Sequence, residues 1–211
     1  MVIDATGLPM TIVDFGMGNL GSIANMIKKV GGKPMVTSDP ERIAAAEKLI
    51  LPGVGAFDHG MRSLEALGLV SALEQAVRQH KAPILGVCLG MQLMLDASEE
   101  GAIAGLGWVS GKARRFPGDK PVLKVPHMGW NGVRAVKLNP LLELNAAERP
   151  RFYFVHSYKV ECASKEDVLA VSSYGVEFCS AFQRENIFGV QFHPEKSHIF
   201  GMRLFQNFLE L

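Results

Sequence analysis

A chain of 211 residues, 48% hydrophobic and 20% charged, is long enough to bury one sizeable core and has the balance of an ordinary globular domain. Its 22 basic residues against 21 acidic ones leave a net charge of +1, which removes the electrostatic case for a nucleic-acid or anionic-membrane partner. Three cysteines without CxxC spacing fit a reducing compartment better than a disulfide framework, and no apolar run nears the roughly 20 residues that span a bilayer.

Taken in chain order, residues 1–9 lack the basic and apolar regions of a secretory signal and read as a short tail, so a cytoplasmic location is expected. Residues 10–15 form a β-rich run, followed by glycines and by helical spacing over 19–30. Strands are expected at 33–37 and 48–51, the second closing in Pro52-Gly53-Val54-Gly55. Helical periodicity runs from about 58 to 80, breaks near Gly68 and stops before Pro83. A buried-type strand follows at 84–87, and 91–97 continues as a helix. Such alternation predicts a parallel sheet with helices on both faces.

Beyond it the pattern changes. Strand-like segments near 122–125, 132–137, 151–160, 168–172, 178–183 and 187–192 stand without helices between them. They predict antiparallel additions to the same sheet or a small companion sheet. Residues 199–211 read as a closing amphipathic helix whose Phe200, Leu204, Phe205 and Phe208 face the core. The basic pairs Lys28-Lys29 and Arg114-Arg115 read as solvated surface. The expectation is one α/β domain with a mixed sheet over 10–211.

The strongest chemical signal is Gly86-Val87-Cys88-Leu89-Gly90, where a buried strand turns into a helix. This is the thiol form of a nucleophile elbow: glycines permit the tight turn, and the helix start favours a thiolate. The amide of Leu89 would face a developing oxyanion. A buried cysteine filling a strand–helix corner is the plainer reading. Gly189-Val190-Gln191-Phe192-His193-Pro194-Glu195 supplies a base at the end of another strand. Residues two apart in extended chain share a face, so Glu195 can hold the imidazole while its other nitrogen meets Cys88. The glycines around Val54 would allow a peptide flip that presents or withdraws an N–H at the same sheet edge, although an ordinary strand-ending turn has the same residues. A competing signal is Gly16-Met17-Gly18-Asn19-Leu20-Gly21, a G-x-G-x-x-G with Asp39 at ribose-contact distance, which would make the chain a nucleotide-binding oxidoreductase. Against it stand Asp14 beside the pyrophosphate position and the absence of a second half to such a fold.

The blocks Asp14–Asn19, Leu51–Phe57, Gly86–Gln92, Pro126–Asn131, Phe154–Tyr158 and Gln191–Ser197 resemble class I glutamine amidotransferases, and within them the glutaminase subunits of imidazole glycerol phosphate synthase. The resemblance runs from about residue 10 to Leu211. It implies a three-layer, flavodoxin-like α/β domain with a central mixed, mainly parallel sheet. It also implies a γ-glutamyl thioester on Cys88, with His193 and Glu195 completing the triad. Leu89, Val54 and Gly55 match oxyanion positions; Gly53, Gly90, Gln92, His156, Ser157 and Tyr158 match positions that hold glutamine. Asn19, Trp130 and Lys196 fall in motifs that meet a (β/α)8 cyclase, to which the ammonia passes, although Trp130 could equally be a core aromatic. No cofactor and no metal are implied. By family behaviour the Pro52–Gly55 segment is a switch set by the liganded partner. The stretch Ser197–Met202 is more similar to paralogues that supply ammonia for amidating a surface-polysaccharide sugar, and a non-catalytic scaffold that kept the fold is the third alternative.

Overall fold

The computed structural model describes residues 7, 9–117, 124–142 and 150–211. The expected tail (residues 1–6 and 8) and positions 122–123 of one expected strand lie outside them. Strands β1 (Pro9–Val13), β2 (Lys33–Thr37), β3 (Leu49–Leu51) and β4 (Ile84–Val87) form the parallel part of the sheet, in the order β2-β1-β3-β4. Between them run α1 (Leu20–Lys29), α2 (Pro40–Ala44), α3 (Phe57–Ala66) and α4 (Leu69–Glu74). The break expected near Gly68 is a left-handed residue, φ +68°, separating α3 from α4. A π-helical turn at Gln75–Gln79 then leads to β4.

Immediately after β4 comes α5 (Leu89–Leu93), and here the sequence-based expectation of a helix over 91–97 fails: the chain turns into strand β5 (Leu95–Ser98). The reason is tertiary. The carbonyls that a continuing helix would use internally are taken by the following loop, with Leu106 donating to Leu93 at 2.8 Å, Trp108 to Met94 at 2.9 Å and Gly107 to Leu95 at 3.1 Å. Gly105 sits where a Cβ would lie 2.1 Å from the Leu95 oxygen, so only glycine allows this approach. Strand β6 (Val109–Arg115) was not expected from the sequence either; its inward residues include Gly111 and Ala113, too small to mark an alternating strand.

The rest of the chain adds β7 (His127–Gly132), β8 (Arg134–Ala135), β9 (Arg151–His156), β10 (Tyr158–Cys162), β11 (Val168–Tyr174), β12 (Val176–Arg184), β13 (Ile187–Val190) and the closing helix α6 (His198–Glu210). Residues 124–125 are not strand, and 132–137 contracts to the end of β7 and the short β8. The expected strand at 151–160 is two: β9 pairs with β7 in a companion sheet, and after Ser157 β10 joins the main sheet beside β6. Strand β13 lies parallel to β4 and antiparallel to β12, so the main sheet is mixed.

Alternation along the central strands divides the core. Leu49, Leu51, Ile84 and Ile187 face one apolar cluster with Leu64, Leu73 and Met91; Ile12, Ile50, Leu85 and Val190 face another with Ile23, Phe205 and Phe208. Helices therefore cover both faces, giving the three layers that the alternating pattern predicts.

Candidate active site

Strands β4 and β13 are parallel neighbours, with Gly86 opposite Gly189 and Val87 opposite Val190, so both end on the same sheet edge. This places Cys88 and His193, far apart in sequence, side by side. Cys88 is pinned by its own N–H, which donates to the Val190 carbonyl at 2.8 Å. Its backbone sits at φ +55°, ψ −107°, a region that L-residues avoid at a cost of about 1–3 kcal/mol. The turn holds because its surroundings exclude alternatives. A Cβ on Gly90 would lie 1.9 Å from the Leu51 oxygen, and one on Gly86 would lie 2.8 Å from the Gly90 oxygen. Since α5 is a single short turn, its dipole contributes less at Cys88 than a long helix would.

His193 Nδ1 donates to Glu195 Oε1 at 2.8 Å. The expectation of an extended His-x-Glu is corrected here: Pro194–Lys196 is a 3-10 turn, which folds the carboxylate back onto the ring. Both side chains are buried, at 2% and 1% exposure, so the pair is shielded from solvent. Asn19 Nδ2 donates to the same Oε1 at 3.0 Å, so a residue expected at a partner interface also steadies the carboxylate. His193 Nε2 is buried and has no other partner within hydrogen-bonding geometry, so it is left to interact with Cys88.

Burial works against an imidazolium here, but the interactions with Cys88 and Glu195 outweigh it and raise His193 to about 9. Glu195 is held below the ordinary glutamate range: burial opposes its charge, and His193 and Asn19 prevail. The raised folded pKa of His193 means its stabilising contribution is complete below its unfolded value of about 6.5 and is lost as pH rises through about 9. Glu195 gives the opposite limb, present above about 4.5 and lost as pH falls through its lowered folded value. Urea midpoints of the wild type are expected to decline from about pH 7 to pH 9.5. A His193→Gln variant should lose most of that decline; an unchanged slope would put the titrating group elsewhere.

A pocket of about 330 Å³ opens over Cys88 and is lined by Val54, Gly55, Leu89, Gln92, His156 and Tyr158 among others. Ser157 also lines it, whereas Gly53 and Gly90 lie behind the wall, a Cβ on Gly53 meeting Gly90 N at 2.8 Å. The Leu89 N–H donates to the Gly53 carbonyl at 3.4 Å, a long bond, and Gly55 has φ +121°. Glu100, which the sequence reading passed over, reaches the pocket from the turn after β5, its Oε2 accepting from Phe57 N–H at 2.9 Å. Buried Gln191 was missed as well; its Nε2 faces Cys88 Sγ at 3.8 Å.

With this geometry in view, comparison with known proteins is direct. The family model for glutamine amidotransferase class-I matches residues 11–211. The chain belongs to the class-I glutamine amidotransferase family. It is 52% identical to "Imidazole glycerol phosphate synthase subunit HisH 2" of Methanococcus maripaludis over 95% of this chain and 98% of that one. With the protein of the same name from Pseudomonas aeruginosa it shares 49% identity over 96% and 99% of the two chains. Among solved structures, PurLQS from Thermotoga maritima superposes with a TM-score of 0.72 at 17% identity, covering 97% of this chain and 99% of that one, which shows the shared fold.

In this amidotransferase the glycine-rich loop that resembles a dinucleotide fingerprint is otherwise engaged. A Cβ on Gly18 would lie 2.9 Å from Pro52 Cβ, so the loop packs against the Pro52–Gly55 segment. Asp39 caps α2, accepting from Glu41 N–H at 3.0 Å. Of the residues matched to a partner face, Trp130 and Lys196 are exposed and Asn19 is half-buried against Glu195. Trp130 is 41% exposed, not core, and stacks on His198 at 5.4 Å. Lys196 Nζ lies 5.7 Å from the Tyr153 ring centroid, and Met128 and Ile199 are exposed nearby in sequence to these residues.

Proposed function

We propose that this amidotransferase hydrolyses glutamine to glutamate and ammonia, and supplies the ammonia to a (β/α)8 cyclase for imidazole glycerol phosphate synthesis. The observation that carries the reading is Cys88 in the wall of a pocket of about 330 Å³, coupled to His193, which is itself paired with Glu195. Cys88 Sγ, its proton already held by His193, attacks the side-chain carbonyl carbon of glutamine. Collapse of the tetrahedral intermediate breaks the C–N bond, and His193 returns the proton to the leaving nitrogen, releasing ammonia. Water then loses a proton to His193, attacks the thioester carbon and frees glutamate and the Cys88 thiolate. Glu195 keeps Nδ1 protonated so that Nε2 does this work.

The oxyanion needs donors. Leu89 N–H is engaged by Gly53 in the state seen here, and turning the peptide beside Val54 would release it and add a second N–H. Such a turn makes hydrolysis conditional on the partner. Of the lining residues, Glu100 is the carboxylate suited to a substrate ammonium, and Gln92, His156, Ser157 and Tyr158 share the wall with it. Glutamate release, followed with and without the cyclase, tests the reading; no release under either condition would end it. Trp130 and Lys196, with Asn19 behind them, form the docking face. Reversing charge in Lys196→Glu is expected to cut cyclase-stimulated turnover about tenfold while basal hydrolysis persists, as for loss of a charge pair across an interface. Unchanged stimulation would remove Lys196 from that face.

A second reading keeps the chemistry and changes the acceptor to a surface-polysaccharide sugar. The Ser197–Met202 sequence favours keeping it. Ammonia-dependent turnover with the cyclase substrate or with a sugar substrate separates the two.

A further inference from the structure

The carbonyl oxygen of Tyr158 accepts two side-chain donors, His156 Nδ1 at 2.8 Å and Gln92 Nε2 at 3.2 Å. A carbonyl can only accept, so both partners present N–H, and the polarity of every link beyond them follows. With its proton on Nδ1, His156 offers Nε2 as an acceptor, 3.0 Å from His127 Nδ1. His127 therefore also carries its proton on Nδ1 and turns Nε2 toward Asn131 Nδ2 at 3.3 Å. The far end is fixed independently. Asn131 Nδ2 donates to the Ser173 carbonyl at 2.9 Å, and its Oδ1 accepts from Gly132 N–H at 2.8 Å.

On the other side, Gln92 Nε2 gives its second proton to Gln191 Oε1 at 3.0 Å, and Gln191 Nε2 points at Cys88 Sγ. With both Nε2 protons committed, Gln92 has its Oε1 left for a ligand in the pocket it lines. His127, His156, Gln92 and Gln191 are all buried, so water cannot replace these bonds. Burial also keeps both imidazoles neutral, His156 at about 3 and His127 at about 4.

We infer that His127, which takes no part in the chemical steps, is a positioning residue: it fixes the tautomer of His156 and, through the Tyr158 carbonyl, the orientation of the Gln92 amide. The inference rests on the glutaminase reading for its functional half. Without the His127 donor, His156 is free to move its proton to Nε2, and the Tyr158 carbonyl then loses one of its two donors. The competing account is that His127 merely fills space between Phe154 and Tyr174, against which it stacks at 4.9 and 4.0 Å.

Long-range ¹H–¹⁵N correlation on the labelled wild-type chain at neutral pH reads the tautomers directly. Both histidines are expected as Nδ1–H, the less common form of free imidazole; Nε2–H at either would overturn the chain of bonds. His127→Phe keeps the stacking and removes the donor. It is expected to raise the KM for glutamine about tenfold in the cyclase-activated reaction, the loss of roughly one buried hydrogen bond, with little change in kcat. His127→Asn, which can still donate from the Nδ1 position, should restore most of the lost KM. An unchanged KM in His127→Phe, or no rescue by asparagine, would leave His127 a packing residue and overturn the proposal. Nδ1–H tautomers in a wild type that hydrolyses no glutamine would instead sink the glutaminase reading and the role built on it, while leaving the bonded chain standing.

Discussion

Replacing Cys88 with alanine is expected to lower glutamine hydrolysis about 10⁴-fold or more, with the fold retained. The size follows from the loss of covalent catalysis: His193, Glu195 and the pocket remain, but nothing is left to take the acyl group. Alanine tolerates φ +55° no better than cysteine, so the strain of the turn is unchanged and urea midpoints should stay close above the His193 titration, at about pH 9.5. At lower pH the variant should be the less stable of the two, because Cys88 is one of the groups holding His193 up to about 9 and that contribution is present only below the titration. The companion measurement is labelling with a glutamine analogue that carries an electrophilic carbon. One adduct per chain is expected, on Cys88. Cys179 is buried with its thiol pKa raised, first by the hydrogen bond with Cys162 and then by burial, and so offers little thiolate. Turnover surviving in Cys88→Ala would end the triad assignment outright.

The largest expected effect on stability lies two residues further on. In Gly90→Ala the new methyl would lie 1.9 Å from the Leu51 oxygen and 3.1 Å from that of Pro52, both backbone atoms of the strand end beside the elbow. Neither can rotate away, so α5 must separate from β3, and the loss is expected at about 3 kcal/mol or more. Gly21→Ala is the control. It sits in α1 with nothing within 4 Å of its Cβ, and alanine there should be neutral or stabilising by up to about 1 kcal/mol. Chemical denaturation of the pair measures the contrast; equal midpoints would show that the elbow yields more easily than its contacts imply.

What the sequence makes legible is whatever one segment can determine alone. Strands β2 and β4 are short apolar or β-rich runs bounded by turn residues, and their limits emerge as expected. Cys88 is readable because the elbow is a local device. The helix expected over 91–97 fails for the opposite reason: Leu93, Met94 and Leu95 have helical composition, and only the arrival of residues 105–109 captures their carbonyls. Glu100 becomes visible in the pocket only once β5 exists to carry it there. Gln191 looks like an ordinary polar residue near a strand end until β13 is set against β4 and its amide comes to face a sulfur. Asn19 belongs to the same class. Its proximity to Glu195 bridges 176 positions of sequence, and no spacing rule reaches that far.

Residues 193–201 are knotted to one another and to β9 by contacts that leave no slack. Ser197 Oγ donates to the His193 carbonyl at 2.6 Å and accepts from Tyr153 N–H at 3.0 Å, while a Cβ on Gly201 would lie 1.8 Å from the Pro194 oxygen. Glu195 points inward from this segment and its neighbour Lys196 outward. Anyone building chimaeras between such subunits, to redirect where the nitrogen goes, should therefore exchange the segment as one cassette together with the Tyr153 strand. Grafting the outward residues singly would disturb the alignment of the inward one.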